Sequence, residues 1–412
     1  MKLRRSLYTS MVEGALAELI AACATGGVTT AWALYLGLSA SVVGLLGALP
    51  VTALLVQPAT GTLSRRLGNR TFALWATALA RQCVLPLVFL PFLPLSHLAR
   101  QALFVASTVA ATALGVAGNN AWSAWMGDLV PGTLRARYFS RRAAACALAS
   151  ALSSLAAGVV LDGGARRGRD GLALSALSLL ASLAGALTTV LLRRQHPPRL
   201  EEAGEEPAPR PAAEEGARRL VVFVMAWSFA VGVAAAFYPL HMVASLRMSF
   251  AGVALYGAAV ALFRMLCAPL VGRALDRAGA RAVLVGSALA LALSPALWLM
   301  AVPGRLWPLA VDAALSGAAS AGLAQATFHL PIALAKPGQR SSLAGALAAA
   351  GGVATGISAA AGGALVRVLP AAWSLFGKSL APFQGVFLIG GVARLLAALL
   401  GLRIEEPGPE GA

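Results

Sequence analysis

PATGTLSRRLGNR (residues 58–70) and PLVGRALDRAGAR (residues 269–281) stand 211 positions apart in the chain. Pro58, Gly61, Arg66, Gly68 and Arg70 coincide with Pro269, Gly272, Arg277, Gly279 and Arg281. Upstream, Leu36, Ser39, Val43, Leu45, Gly47 and Ala48 match Leu246, Ser249, Val253, Leu255, Gly257 and Ala258 at an offset of 210. Downstream, Pro131-Gly132 followed by Arg135 is echoed by Pro337-Gly338 followed by Arg340. Ala- and Leu-rich helices align by chance, but a Pro/Gly/Arg pattern in a loop does not. The chain is therefore two related halves.

The surroundings of these loops are apolar. Of 412 residues, 58% are hydrophobic and 12% charged, against about 25% charged in a soluble domain. Stretches of about 20 apolar residues recur along the chain, each long enough to cross a bilayer. Backbone groups in lipid must be satisfied internally, and the runs lack strand-like alternation, so helices are expected. The spans read as 8–36, 40–64, 71–94, 98–127, 138–162 and 171–193, then 219–246, 249–275, 281–302, 305–334, 340–367 and 381–402. The predicted fold is an all-α membrane protein of twelve transmembrane helices. Two pseudo-symmetric six-helix bundles cover 1–194 and 218–403. Six helices return the chain to its starting side, so the halves share one orientation. Residues 195–217 hold six Glu and several Pro, the composition of a solvated linker. Residues 404–412 form a short acidic tail. Lys2, Arg4 and Arg5 ahead of an apolar run resemble the start of a signal peptide. The run is too long for one and is interrupted by Glu13 and Glu18, so it is the first span.

With the N-terminus inside, 22 of the 33 Lys and Arg fall on inside segments and 8 outside, while Arg81, Arg264 and Arg394 lie within spans. That excess puts both termini in the cytoplasm and the chain in the cell (inner) membrane. The outer loop 163–170, with three Arg, runs against the rule. The net charge of +17 is spread in short clusters between spans, not on a base-stacking face, which excludes a nucleic-acid partner. Cys23, Cys83, Cys146 and Cys267 are single, with no disulfide or metal spacing. No cofactor is expected. The expected partners are a small-molecule substrate, protons and the lipid bilayer, and the protein reads as a monomer.

The repeated loop resembles the signature between the second and third helices of the major facilitator superfamily, Gly-x-x-x-Asp-Arg/Lys-x-Gly-x-Arg/Lys. The second half matches at Gly272, Asp276, Arg277, Gly279 and Arg281. The first matches at Gly61, Arg66, Gly68 and Arg70 but carries Arg65 in place of Asp. Asp128-Leu-Val-Pro131 followed by Arg135 is similar to the family's loop between helices 4 and 5. The resemblance implies a rocking two-domain transporter with alternating access. It implies that the motif Asp latches the cytoplasmic side by meeting a helix start, where exposed amides and the macrodipole favour an anion. Asp276 would then meet the region from Arg137 to Ser140. Arg65 cannot mirror it, so the two latches are expected to be unequal. A purely topological role for these Arg is the simpler alternative.

The resemblance also implies that spans 1, 4, 7 and 10 line a cavity. Helical spacing puts Glu18, Thr25, Thr29 and Trp32 on one stripe of span 1, and Thr108, Thr112, Asn119 and Ser123 on one stripe of span 4. Trp227, Tyr238 and His241 share a stripe on span 7, and Asp312, Ser316 and Ser320 on span 10. Hydroxyls of this kind also mark close helix packing. Carboxylates within a span are costly and point to a pathway, so Glu18 and Asp312 are the substrate or proton candidates. Glu13 lies on another face and is expected to pair with a base or reach the interface. Arg81, Arg264 and Arg394 are expected to find partners within the membrane.

These readings favour secondary transport, coupled to protons through Glu18 or Asp312. No nucleotide-binding motif indicates ATP drive. Efflux of amphipathic compounds is the alternative, although Leu155–Leu161 lacks the Gly-Pro pair of the family's drug antiporters. A transporter-like sensor or scaffold without flux is another. Scattered His and lone Cys offer no catalytic constellation, so an enzyme is not expected.

Overall fold

A computed structural model describes residues 2–53, 60, 63–64, 66–129, 132–195, 215–334, 340–369, 373–375, 378–380 and 382–405. It is almost wholly helical. The helices are α1 (Lys2–Ala24), α2 (Gly27–Tyr35), α3 (Ala40–Thr52), α4 (Asn69–Gln82), α5 (Leu85–Phe89), α6 (His97–Leu129) and α7 (Gly132–Arg166). They continue as α8 (Asp170–Arg193), α9 (Glu215–Ala235), α10 (Phe237–Ala244), α11 (Phe250–Met300), α12 (Trp307–Leu334), α13 (Arg340–Val368) and α14 (Pro382–Gly401). Among the described residues, nine segments are long and apolar enough to cross a membrane, and one of them, Phe250–Met300, carries a kink at Gly279. Strands β1 (Trp373–Leu375) and β2 (Lys378–Leu380), unforeseen in the sequence, form a small antiparallel hairpin ahead of α14.

The repeated loop explains itself at its glycines. Gly68 has φ 83 and ψ 132, immediately before α4, and Gly279 has φ 80 and ψ 164, inside α11. Side chains with a Cβ avoid this region. Nothing lies within 4 Å of where a Cβ on Gly68 would sit, so the backbone angle, not crowding, demands glycine there. The last arginine of each loop acts alike in both halves. Arg70 Nη2 donates to the carbonyl of Arg193 at the end of α8 (3.0 Å), and Arg281 Nη2 to that of Leu402 just after α14 (2.6 Å). Each cation thus sits on the orphan carbonyls of a helix C-terminus, the favourable end for positive charge.

The chain packs as two compact units. One contains residues 1–39, 53–204 and 248–255; the other contains 40–52, 205–247 and 256–412. In the first, α1 packs on α7 and α8, and α4 on α6. Trp122, Trp125, Met126 and Leu192 form an apolar core there. In the second, α9 packs on α13 and α14 around Phe223, Trp227, Leu284, Leu330 and Ala398, and α3 lies along α13. Ser41 Oγ donates to the Gly363 carbonyl (3.0 Å), and a Cβ on Gly363 would come within 2.6 Å of Ser41 Cα. Such close backbone approach is how helices gain packing energy in lipid, where water drives nothing.

Candidate functional site

In the first unit, Glu13 is 3% exposed and meets two arginines. Arg81 Nη2, from α4, lies 2.6 Å from its Oε1, and Arg142 Nη2, from α7, 3.6 Å from its Oε2. Arg142 also donates from Nε to the Ser10 carbonyl and lies over the Trp122 ring, 4.2 Å from its centroid. Gly14 makes room for it, because a Cβ there would sit 2.7 Å from Arg142 Nη2. Two guanidiniums on one buried carboxylate leave a positive excess, and Arg81 Nη1 is buried with no hydrogen-bond partner among the described residues. Glu18, five positions along α1, is half-buried, and no ion pair reaches it among the described residues.

In the second unit, Asp312 of α12 is fully buried. Its Oδ2 accepts the Tyr256 hydroxyl and the Trp298 indole N–H (3.0 Å), and its Oδ1 accepts Ser316 Oγ (3.1 Å). Every donor is neutral. Aromatic rings surround this group. Tyr238 lies 4.5 Å from both Trp298 and Phe387, and His241 packs against Phe387 at 5.2 Å. Arg394 is 6% exposed, with its guanidinium 5.8 Å from the Tyr238 ring and Nη1 on the Leu291 carbonyl. His241 is 1% exposed, and neither ring nitrogen finds a partner among the described residues. Tyr256 and Trp298 were missed in the sequence. Their signal is that a buried Tyr or Trp needs an acceptor for its polar end.

The first span of each half is interrupted. α1 ends at Ala24 and α2 starts at Gly27, with Gly26 at φ 59; α9 ends at Ala235 and α10 starts at Phe237. The two breaks are separated by the repeat offset. Thr25 and Gly26 are exposed. Non-helical backbone at membrane depth is tolerated only where protein buries it or water reaches it.

The profile described as Major Facilitator Superfamily matches residues 14–240 and again 220–412. The chain belongs to the major facilitator superfamily. No curated protein matches it. Solved structures do, along almost their whole length. A bacterial homologue of the iron transporter ferroportin, in an inward-facing state, has a TM-score of 0.74 at 16% identity, over 98% of this chain and 99% of that one. A mutant of the nucleoside transporter NupG gives 0.71 at 13% over 97% and 100%. A D-xylose–proton symporter gives 0.71 at 15% over 100% of both. At such identities the likeness is one of fold: this is a multi-pass membrane protein of transporter architecture.

In this superfamily member the hydroxyl stripes mostly bond to their own helices. Thr25 donates to the Ala21 carbonyl, Thr29 to Ala24, Thr108 to Phe104, Thr112 to Thr108, Ser123 to Asn119 and Ser320 to Gly317. Ser316 alone among them reaches a carboxylate. Asn119 and Ser123 are exposed on α6, whereas Trp32 is 1% exposed against Phe104. Trp227 stacks on Phe223 within the apolar core and is not among the partners of Asp312. Asp276, Arg277, Arg66 and Arg264 are exposed, and Gly272 is half-buried. Gly61 and Arg65 lie outside the described residues.

Proposed function

We propose that this protein is a secondary active transporter that moves a small polar solute across the cell membrane by alternating access, coupled to protons at Asp312. The observation that carries the reading is a fully buried carboxylate held by three neutral donors. A charge in such surroundings, without a cation against it, is expensive. No salt bridge reaches Asp312 among the described residues, so a proton is what can neutralise it. Glu18, which no ion pair reaches among the described residues, is the partner candidate for the solute on the interrupted first span, near the exposed Thr25 and Gly26. Fixed pairing makes Glu13 a structural carboxylate. The positive-inside distribution supports cytoplasmic termini, and membership of a transporter superfamily favours transport over catalysis.

The test uses proteoliposomes with an entrapped pH dye, screened with nucleosides, D-xylose and divalent metal ions, the solute classes named for the neighbouring folds. A transported solute should move protons in the wild type. Asp312→Asn should abolish the proton signal and leave solute exchange across the membrane in place. Proton movement that survives in Asp312→Asn would remove this residue from the mechanism.

A further inference from the structure

We propose that a groove at one end of the second unit binds the phosphate group of an anionic phospholipid. It is about 700 Å³ in volume, and its walls come from the start of α9, the limb of α11 after Gly279 and the end of α14. Four arginines line it, Arg218, Arg219, Arg281 and Arg403, with two carboxylates, Glu215 and Glu405. Both carboxylates are taken by Arg219, which also donates to the Arg403 carbonyl. Arg281, also in the lining, is held on the Leu402 carbonyl. Arg218 and Arg403 are exposed and join no carboxylate among the described residues. Two exposed cations of the lining are therefore left for an anion.

The remaining wall is apolar. Val222 and Leu402 are each 49% exposed, and Leu400 lies beside them. Guanidiniums at helix ends, bordering exposed aliphatic side chains of a transmembrane bundle, match a headgroup phosphate with its acyl chains alongside. Arginine forks suit phosphate oxygens, and basic pockets between transmembrane helices bind acidic headgroups. A free phosphate ion shares the charge chemistry but leaves the apolar wall unused.

Full-length protein purified in detergent is titrated with phosphatidylglycerol, with phosphatidylcholine and with inorganic phosphate, following melting temperature and lipids retained in native mass spectrometry. Phosphatidylglycerol should be retained and should raise the melting temperature, while the other two do neither. Arg218→Gln should weaken that binding about fivefold, and Arg218→Gln with Arg403→Gln about twentyfold. The single variant, at an exposed position, stands in if the double does not fold. Equal phosphatidylglycerol binding by wild type and variants, or none by either, overturns the site. Stabilisation by inorganic phosphate that is lost in the variants overturns the lipid as its source.

Discussion

Glu13, Gly14, Arg81 and Arg142 show what a few positions in a membrane interior settle. A guanidinium within an apolar span calls for an anion, and the spacing of Glu13 and Glu18 on α1 gives two. Glu13 answers Arg81, and Gly14, whose missing Cβ lets Arg142 lie against the helix, admits a second guanidinium, a detail of crowding that spacing does not carry. Glu13→Gln would take the counter-charge from two half-buried guanidiniums, and breaking one side of a buried pair costs up to about 3–5 kcal/mol. A large drop in melting temperature of the purified protein is expected, partly restored by adding Arg81→Gln. A double variant as unstable as the sum of the two singles would show that the pair is not coupled. Asp312 differs in kind. Its place on a polar stripe was legible, but its donors Tyr256 and Trp298 come from another helix at unrelated spacing, and only the fold brings them together.

At the scale of the helix, the repeat carried more than residue types did. The break at Gly26 has a sequence signal in glycine. The break at Ala236 has its signal in Pro239, which has no N–H for the Ala235 carbonyl four residues earlier and whose ring crowds it; the offset of the repeat points to the same place. Asp162 was harder still. In the sequence it is one charge beside an arginine-rich loop. In the structure it is 9% exposed and caps α11, accepting the amides of Phe250 (2.7 Å) and Ala251 (3.0 Å). Its partners are backbone groups, which leave no mark in a sequence. Gly158, one turn earlier on α7, allows the approach, because a Cβ there would lie 2.7 Å from Ala251 N. Asp162→Asn removes the charge facing the positive end of α11 and one acceptor, at about 1 kcal/mol. A lower melting temperature is expected, and an unchanged one would mean that the cap contributes nothing.

For the molecule as a whole, the architecture was legible from two loops, and the grouping of its helices was not. α3 stands in the first half of the chain yet packs within the second unit, along α13. Small residues drive such packing in lipid, and they recur in too many spans to name a partner. A chain ending before Arg340 should therefore leave α3 uncovered. Ser41→Cys, near the start of α3, should react with maleimide in that truncated chain and be shielded at full length; equal labelling would mean that α13 does not cover it.

The bond from Ser41 to Gly363 also spans 322 residues of chain. At a synthesis rate of about 5–20 residues per second, roughly 15–60 seconds separate the two ends leaving the ribosome. Through that interval α3 sits in the bilayer with its glycine-lined face unmatched. The cell must shelter a half-finished helix for up to a minute, and how well it does so bears on how much of this protein is made.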